Sequence, residues 1–295
     1  MSLLTSSPLA SSSLRKELKI NDEEFRQLRD FIYVQCGIFI GENRKYLVEN
    51  RLAIRIKELN LTSYGEYYNF LRFDPNKRAE LSKLFEVVTT NETSFYRNPP
   101  QLQVFQDVVL TNTIEGLRKN NQKKLRIWSA GCSTGEEPYT IAIIIHELLK
   151  QETLTWDIKI TANDLSEAVL VSARRGVYTE YALRTTPKDI IAKYFVPEGS
   201  NYKLDAKPKR LVSFGQINLN DKQQLARVER SHIVFCRNVI IYFDETAQAA
   251  VINRFWDSMA SKSFLFIGHS ESLFGMDTKF EFVKTEWATL YRKFT

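Results

Sequence analysis

The chain has 295 residues, of which 43% are hydrophobic and 26% are charged, a composition that is typical of a globular protein and excludes a disordered one. No segment approaches the roughly 18 consecutive apolar residues that a membrane span needs, and the three cysteines and three histidines lack the spacing of a disulfide framework or a metal site. The net charge of +6 indicates an acidic partner. This partner could be nucleic acid, an anionic membrane surface or an acidic protein, and the charge alone does not distinguish them.

The first third of the chain is predicted to be a helical domain over residues 1–88, in which residues 1–19 form a flexible, serine-rich tail. Three acidic residues at 22–24 are typical of the first turn of a helix. Ser63 is placed to cap a later helix of the same domain. Apolar residues recur at helical spacing between short connections, which predicts a small bundle.

After a linker and one helix over residues 89–123, the pattern changes to a second domain over 124–295. Short apolar strands alternate with helices there, which predicts βαβ units and a mostly parallel sheet. Proline and glycine interrupt the alternation, and we predict an insertion over about 177–216. The predicted strands are 124–130, 157–162, 231–236 and 263–268, the predicted helices are 136–150, 166–175 and 245–260, and a closing hairpin is predicted at 280–284 and 289–293.

The strongest local feature is the turn over residues 129–139, which follows a predicted strand and opens a helix. Gly131 and Gly135 allow the backbone to turn tightly and a ligand to approach the main chain. A strand-to-helix turn without a ligand explains the two glycines equally well. Glu136 and Glu137 stand where a phosphate-binding loop avoids negative charge, so the acidic pair favours a cationic or amine-bearing ligand.

Asp164 follows the second predicted strand, where an acid can accept hydrogen bonds from both ribose hydroxyls of an adenosine. The alternative is that Asp164 only caps the following helix. Ser166 offers an equally good cap, so the sequence does not require Asp164 for that purpose.

Two further polar segments are candidates for a site. The first is residues 89–98, for which a solvated linker is the simpler interpretation. In the second, Arg237 and Asn238 directly follow a buried strand, at the carboxyl edge where open α/β sheets bind ligands.

Together these segments resemble the CheR family, the bacterial chemoreceptor glutamate methyltransferases. The resemblance covers the chain from about residue 20 to the C terminus. The matching motifs are Thr89–Arg97, Trp128–Tyr139, Asn163-Asp164, Ile217–Leu219, Phe235–Asp244 and Gly268–Glu271.

The resemblance implies a class I methyltransferase sheet with an N-terminal helical domain and a small inserted antiparallel β-subdomain, the same parts that the periodicity predicts. It implies S-adenosyl-L-methionine as methyl donor and S-adenosyl-L-homocysteine as product. The implied substrates are glutamates on the cytoplasmic helices of chemoreceptors, which become methyl esters. A glutamate is already ionised at neutral pH, so this reaction asks little of a general base.

The resemblance also implies roles for single residues. Asp164 would hold the ribose, and Glu137, with Glu136 as the alternative, would meet the ammonium of the methionyl part. Arg97 would pair with a carboxylate of the cofactor or the substrate, and Tyr242 would lie near the transferred methyl, so these two are the catalytic candidates. The other candidate cofactor contacts are Asn91, Thr93, Gly131, Asn218, Leu219, Arg237 and Asn238.

One basic helix is the candidate surface for docking a receptor. Around residues 46–59 the arginines and lysines outnumber the acids. We predict that Arg44, Arg51 and Arg55 steer an acidic receptor helix toward the active site, the alternative being a solvated charged face. We expect a cytoplasmic protein, because an odd cysteine count fits a reducing compartment. We also expect a monomer and no bound metal.

Other functions fit parts of the same pattern. A family member that methylates a different signalling protein would keep the cofactor residues and differ in the basic helix. A non-catalytic module that senses S-adenosylmethionine would keep Asp164 but could lose Arg97 or Tyr242, and the presence of both favours an enzyme. Nucleic-acid methylation is supported only by the charge, since no Asn-Pro-Pro-Tyr or Asp-Pro-Pro-Tyr motif follows the fourth strand.

Overall fold

The structure of the protein is a computed structural model that describes residues 18–285 and 288–294. The predicted tail over residues 1–19 lies outside the described residues except for its last two positions. No helix within the described ranges is long and apolar enough to cross a membrane.

The helical domain begins where the sequence predicts it. Asn21 accepts a hydrogen bond from the backbone of Glu24, whose side chain accepts one from the Asn21 backbone, a capping box that fixes the start of the first helix. Ser63 caps a later helix by accepting a hydrogen bond from the Glu66 backbone, as predicted. Gly37 ends the first helix at a φ of 78°, a left-handed conformation that favours glycine. The helices are α1 (Asp22–Cys36), α2 (Lys45–Glu58), α3 (Tyr64–Phe73) and α4 (Lys77–Val88).

The second domain is an α/β unit with a mostly parallel sheet, which confirms the predicted fold class. Its strands are β1 (Lys124–Ala130), β2 (Asp157–Asp164), β3 (Val177–Thr179), β4 (Phe195–Glu198), β5 (Asn201–Leu204), β6 (Val212–Gln216), β7 (Ser231–Cys236), β8 (Met259–Ile267), β9 (Glu281–Lys284) and β10 (Thr289–Lys293). Its helices are α5 (Pro99–Val104), α6 (Thr111–Lys119), α7 (Glu136–Leu149), α8 (Glu167–Arg175), α9 (Lys188–Tyr194), α10 (Ala206–Lys209), α11 (Lys222–Leu225) and α12 (Glu245–Ser258), with a π-helical segment, Phe105–Leu110, joining α5 to α6.

The main sheet has the strand order β6-β2-β1-β7-β8-β10-β9. The first five strands in that order run parallel, and β10 is antiparallel to both β8 and β9, so the predicted closing hairpin forms one edge. The strand order changes direction between β1 and β7, so their carboxyl ends form the crevice where α/β sheets bind ligands.

The inserted subdomain is smaller than the sequence predicts. A separate antiparallel sheet contains β3, β5 and β4. Val212–Gln216 lies within the predicted insertion, but it pairs in parallel with β2 and is an edge strand of the main sheet. The antiparallel sheet therefore ends at Leu204, and the boundary predicted at residue 216 needs this correction. The sequence misplaced β6 because its pairing with β2 is not local, and because prolines and glycine precede it.

Candidate active site

A cavity of about 960 Å³, including its open mouth, lies at the carboxyl ends of β1, β2 and β7. Its walls come from both domains and from the linker between them.

The structure brings the predicted cofactor-binding and catalytic residues, with one exception, together around this cavity. Glu136 is the exception, because its carboxylate accepts a hydrogen bond from Thr134 and does not line the cavity. The predicted residues that line the cavity are Asn91, Thr93, Arg97, Gly131, Glu137, Asp164, Asn218, Leu219, Arg237, Asn238 and Tyr242.

The turn after β1 needs glycine at two positions. Gly131 has a φ of 78°, and a β-carbon there would lie 2.4 Å from Cγ2 of Val239. Gly135 has a φ of 93°, and a β-carbon there would lie 2.9 Å from the side chain of Ala173. Both glycines therefore permit the backbone conformation and the close packing of the turn against neighbouring segments.

The carboxylate of Asp164 is buried at the end of β2 and fixes the backbone around the cavity. Its Oδ2 accepts a hydrogen bond from the backbone of Ser133 at 2.8 Å, and its Oδ1 accepts one from the backbone of Ser166 at 3.0 Å. Ser166 is the N-cap residue of α8, the position predicted for it, but its hydroxyl makes no capping bond. Burial raises the pKa of Asp164, and the backbone hydrogen bonds oppose that rise. An ionised carboxylate has about four acceptor positions, so Asp164 can also accept from a ligand.

Glu137 and Arg237 form a buried ion pair in the wall of the cavity. Nη1 of Arg237 lies 3.2 Å from Oε2 of Glu137, and the hydroxyl of Ser129 donates to Oε1 at 2.7 Å. Burial raises the pKa of Glu137, and the charge of Arg237 opposes that rise. Nε of Arg237 is buried without a hydrogen-bond partner in the described structure, which leaves a cationic donor available to a ligand.

The linker that was predicted as a candidate segment wraps one side of the cavity. The carbonyl of Asn91 accepts a hydrogen bond from Ser133, and the carbonyl of Arg97 accepts one from Nη2 of Arg237 at 2.6 Å. The guanidinium of Arg97 donates to the carbonyl of Glu92 at 3.1 Å. These bonds hold the polar face of the linker against the glycine turn and the end of β7.

The helical domain closes the cavity from the other side. The amide of Asn218 donates to the carbonyl of Gln35 at 2.6 Å, and the hydroxyl of Tyr33 donates to Asp244 at 2.9 Å. A β-bridge pairs Ile38 with Phe243, and both residues line the cavity. The sequence did not predict Ile38 as a site residue, because only its pairing with a segment far along the chain brings it there.

The basic helix α2 is arranged differently from the prediction. Arg55 makes a bidentate ion pair with Glu80, at 2.9 Å from Nε to Oε1 and 2.7 Å from Nη2 to Oε2, and Tyr67 donates to the same carboxylate. The side chains of Arg55 and Glu80 are only 12% and 5% exposed. The prediction that Arg55 docks a receptor is therefore wrong, because its guanidinium neutralises a buried acid.

The other two arginines of the predicted docking set differ from each other. Arg51 donates to the carbonyl of Val88 at 2.6 Å and to Oγ1 of Thr90 at 3.0 Å, so it fastens α2 to the start of the linker. Arg44 is exposed at the start of α2. Of the three, Arg44 alone presents an exposed side chain.

Several kinds of ionisable side chain line the cavity. Within the described residues, the cavity is lined by carboxylates, arginines, a tyrosine and two cysteines, but by no histidine or lysine. Burial raises the pKa of Cys36 to about 12 and that of Cys132 well above its ordinary value, so both thiols are protonated at neutral pH. No group of histidine, cysteine, aspartate and glutamate residues in the described ranges could hold a metal ion.

Comparison with known protein families gives two matches that together cover most of the chain. Residues 91–289 match the family model described as CheR methyltransferase, SAM binding domain. Residues 23–89 match the family model described as CheR methyltransferase, all-alpha domain.

Curated relatives match over nearly the full chain. A chemotaxis protein methyltransferase of Borreliella burgdorferi is 33% identical over 88% of this chain and 91% of its own length. Chemotaxis protein methyltransferase 2 of Vibrio cholerae is 32% identical over 94% of this chain and 95% of its own length. The chemotaxis protein methyltransferase of Escherichia coli is 30% identical over 94% of this chain and 96% of its own length.

Proposed function

Because the chain belongs to the CheR methyltransferase family and has its S-adenosylmethionine-binding domain, we propose that it methylates glutamate side chains of bacterial chemoreceptors in chemotaxis. The coarser part of this statement, an S-adenosylmethionine-dependent methyltransferase, follows from the family. The choice of a glutamate carboxylate as acceptor and of chemoreceptors as substrates is the proposal, supported by the names of the relatives and by the chemistry of the cavity.

The observation that carries the choice of acceptor is the set of ionisable residues around the cavity. S-adenosylmethionine supplies a methyl group on a sulfonium, a strong electrophile. Methylation of an amine or an alcohol needs a group that removes a proton. The carboxylates that line the cavity are held by other partners: Glu137 by Arg237 and Ser129, Asp164 by two backbone amides, and Glu92 lies beside Arg184. A glutamate side chain is ionised at neutral pH and attacks without losing a proton. The cavity therefore suits a carboxylate nucleophile.

The residues around the cavity also fit the donor. Asp164 retains acceptor positions for the ribose hydroxyls. Glu137 offers negative charge to an ammonium group, and the unpartnered Nε of Arg237 offers a buried donor to a carboxylate. The other proposed cofactor contacts are Asn91, Thr93, Arg97, Gly131, Asn218, Leu219 and Asn238.

We assign the catalytic positions to Arg97 and Tyr242, which both line the cavity. The cationic side chain of Arg97 would hold the substrate carboxylate, and the phenol of Tyr242 would restrict the space around the transferred methyl. Both contributions are positional, as expected for a reaction in which alignment and exclusion of water lower the barrier.

The test uses the full chain with labelled S-adenosylmethionine and cytoplasmic fragments of candidate chemoreceptors. Label that enters the fragment and is released as methanol by mild base identifies a methyl ester. Label that enters the fragment but is stable to base would support methyltransferase activity and would rule out a carboxylate as the acceptor. A protein that is folded yet binds no S-adenosylhomocysteine in calorimetry would reject the whole assignment.

A further inference from the structure

The motif Gly268–Glu271 follows β8 at the edge of the cavity region, and the proposed reaction does not account for it. Glu271 is only 9% exposed. None of the described residues that line the cavity belongs to this motif. A buried carboxylate needs strong partners, and those partners show what it does.

The carboxylate of Glu271 binds backbone amides of the loop that follows β7. Its Oε2 accepts a hydrogen bond from the backbone of Asn238 at 3.0 Å. Its Oε1 accepts from Val239 at 3.0 Å and from Ile241 at 3.3 Å. The backbone of Gly268 donates to the same carboxylate, which fixes its position at the end of β8. One side chain thus satisfies several amides of residues 238–241.

That loop carries proposed site residues in a conformation that needs support. Asn238 has a φ of 59°, in the left-handed region that residues other than glycine seldom adopt. Tyr242 closes the short helical turn that follows. Val239 packs so tightly on Gly131 that a β-carbon on the glycine would lie 2.4 Å from it. The hydrogen bonds to Glu271 therefore hold one wall of the cavity in place. They fix the backbone of Asn238 and the start of the helical turn that ends at Tyr242.

The same arrangement explains the glycine of the motif. A β-carbon on Gly268 would lie 2.7 Å from Oε2 of Glu271 and 2.9 Å from the backbone nitrogen of Asn238. A methyl group there would stand in the hydrogen bond between the carboxylate and the loop. Gly268 and Glu271 thus act together, because the glycine leaves the space that the carboxylate needs to reach the loop.

We propose that Glu271 is a positioning residue for methyl transfer, which holds the loop of Asn238 and Tyr242 in its binding conformation through a carboxylate bound to backbone amides. The inference rests on the proposed function, because its effects are measured as cofactor binding and methyl transfer. It predicts that loss of the carboxylate acts on the cofactor site and the turnover number, and leaves receptor affinity unchanged.

The test compares Glu271→Gln with the parent and with Glu281→Gln, a matched change of an exposed glutamate that pairs with Arg292 on the closing hairpin. The glutamine has the same shape but presents amide hydrogens to the loop amides. We expect Glu271→Gln to bind S-adenosylhomocysteine about tenfold more weakly and to lower kcat by at least that factor. The KM for the receptor fragment should stay within about twofold, and Glu281→Gln should match the parent in every measurement.

The readouts separate a positioning role from a purely structural one. If Glu271 only stabilises the fold, Glu271→Gln lowers the melting temperature, but the folded protein keeps parental affinity and kcat, and the proposal is overturned. If Glu271→Gln does not fold, Gly268→Ala replaces it, because it keeps the carboxylate and displaces it from Asn238. Gly268→Ala should then show the same loss of cofactor affinity, and parental affinity would overturn the proposal. A parent that binds no S-adenosylhomocysteine would reject the proposed function itself, which distinguishes the two failures.

Discussion

Asp164 holds its own backbone in place with the same carboxylate that we assign to the cofactor ribose. Its bonds to the amides of Ser133 and Ser166 orient it toward the cavity. We expect Asp164→Ala to weaken binding of S-adenosylhomocysteine by about 1.5–3 kcal/mol, because charge-assisted hydrogen bonds to a ligand are lost. Calorimetry measures the change. Ser166→Ala is the control, since its hydroxyl makes no capping bond and its removal should leave affinity unaltered.

Arg97 is the cavity residue whose removal should act most strongly on transfer. Its guanidinium is half-buried and, within the described residues, donates only to the carbonyl of Glu92, so its charge is available to a carboxylate. We expect Arg97→Ala to reduce kcat about 100-fold or more, the usual cost of removing one electrostatic contact to the reacting group. Arg184→Ala, an exposed arginine near the same glutamate, is the matched control. Near-parental turnover of Arg97→Ala would remove Arg97 from the catalytic assignment.

Acid should weaken cofactor binding before it unfolds the protein. Burial raises the pKa of Glu137 above the ordinary 4.5, so its protonation begins above that pH and removes the negative charge that we assign to the ammonium. A carboxyl with a raised folded-state pKa favours the folded state at low pH, and that contribution is lost as the pH rises through the folded pKa. Affinity measured by calorimetry should therefore fall on acidification while the apo melting temperature does not fall on account of this group. Glu137→Gln should bind more weakly than the parent, and its affinity should depend less steeply on pH, the remaining dependence coming from Asp164, whose pKa burial also raises. A pH dependence as steep as the parent's would contradict the assignment.

The sequence predicted most of these residues but could not decide between close alternatives. Glu136 and Glu137 are adjacent at the start of a helix, where successive side chains point about 100° apart, so only one can face the cavity. The structure turns Glu137 inward and pairs Glu136 with Thr134. Glu271 belongs to the motif Gly268–Glu271, but its contacts are with a loop about thirty positions earlier in the chain, which only the folded sheet brings near.

At the scale of elements, the local sequence pattern predicted the bounds of a strand correctly where the strand is a single run of buried apolar residues. β1 and β7 have the predicted bounds, because each is a buried run between polar flanks. β8 begins at Met259, four residues before the prediction, and its pairing with β7 is irregular at this end. Its start depends on the neighbouring strand, and the same is true of β6, which a local pattern assigned to the insertion.

Helix α2 contacts the linker beside the cofactor cavity through Arg51. Since Arg51 donates to Val88 and Thr90, it holds the linker that lines the cavity. We expect Arg51→Ala to weaken binding of S-adenosylhomocysteine about three- to tenfold without any receptor present, because the linker loses two hydrogen bonds. Calorimetry on the isolated protein measures this effect.

Arg44→Ala is the control for this prediction, because Arg44 is exposed at the start of the same helix. It should leave cofactor affinity unchanged and raise the KM for a receptor fragment, more at low salt than at high salt, since charge steering is screened over about 10 Å at 0.1 M. If Arg51→Ala, like Arg44→Ala, changes only the KM for the receptor fragment, the contact of Arg51 with the linker does not contribute to cofactor binding. Reversing Arg55 is unsuitable as a docking test, because it would leave Glu80 buried beside a second acid.

At the scale of the whole molecule, the cavity lies between two units with separate cores. The helical domain packs around its own apolar cluster, and the sheet has clusters on both faces. Contacts between the units, such as Asn218 with Gln35 and Ile38 with Phe243, surround the cavity. A ligand bound there touches both units, so it should stabilise their association as well as each fold.

This coupling can be measured because the sequence has no tryptophan before residue 88, and the described tryptophans, Trp128, Trp156 and Trp256, lie in the sheet domain. Tryptophan fluorescence therefore follows the sheet domain, whereas far-ultraviolet circular dichroism follows both. At about 100 times its Kd, S-adenosylhomocysteine should stabilise the native protein by about 2.7 kcal/mol by mass action, which raises the melting temperature by several degrees. We expect both signals to shift together, and Asp164→Ala at the same ligand concentration to show a smaller shift in both. A circular dichroism transition that splits in two, with only the part that coincides with fluorescence shifted, would show that the ligand binds the sheet domain without engaging the helical domain.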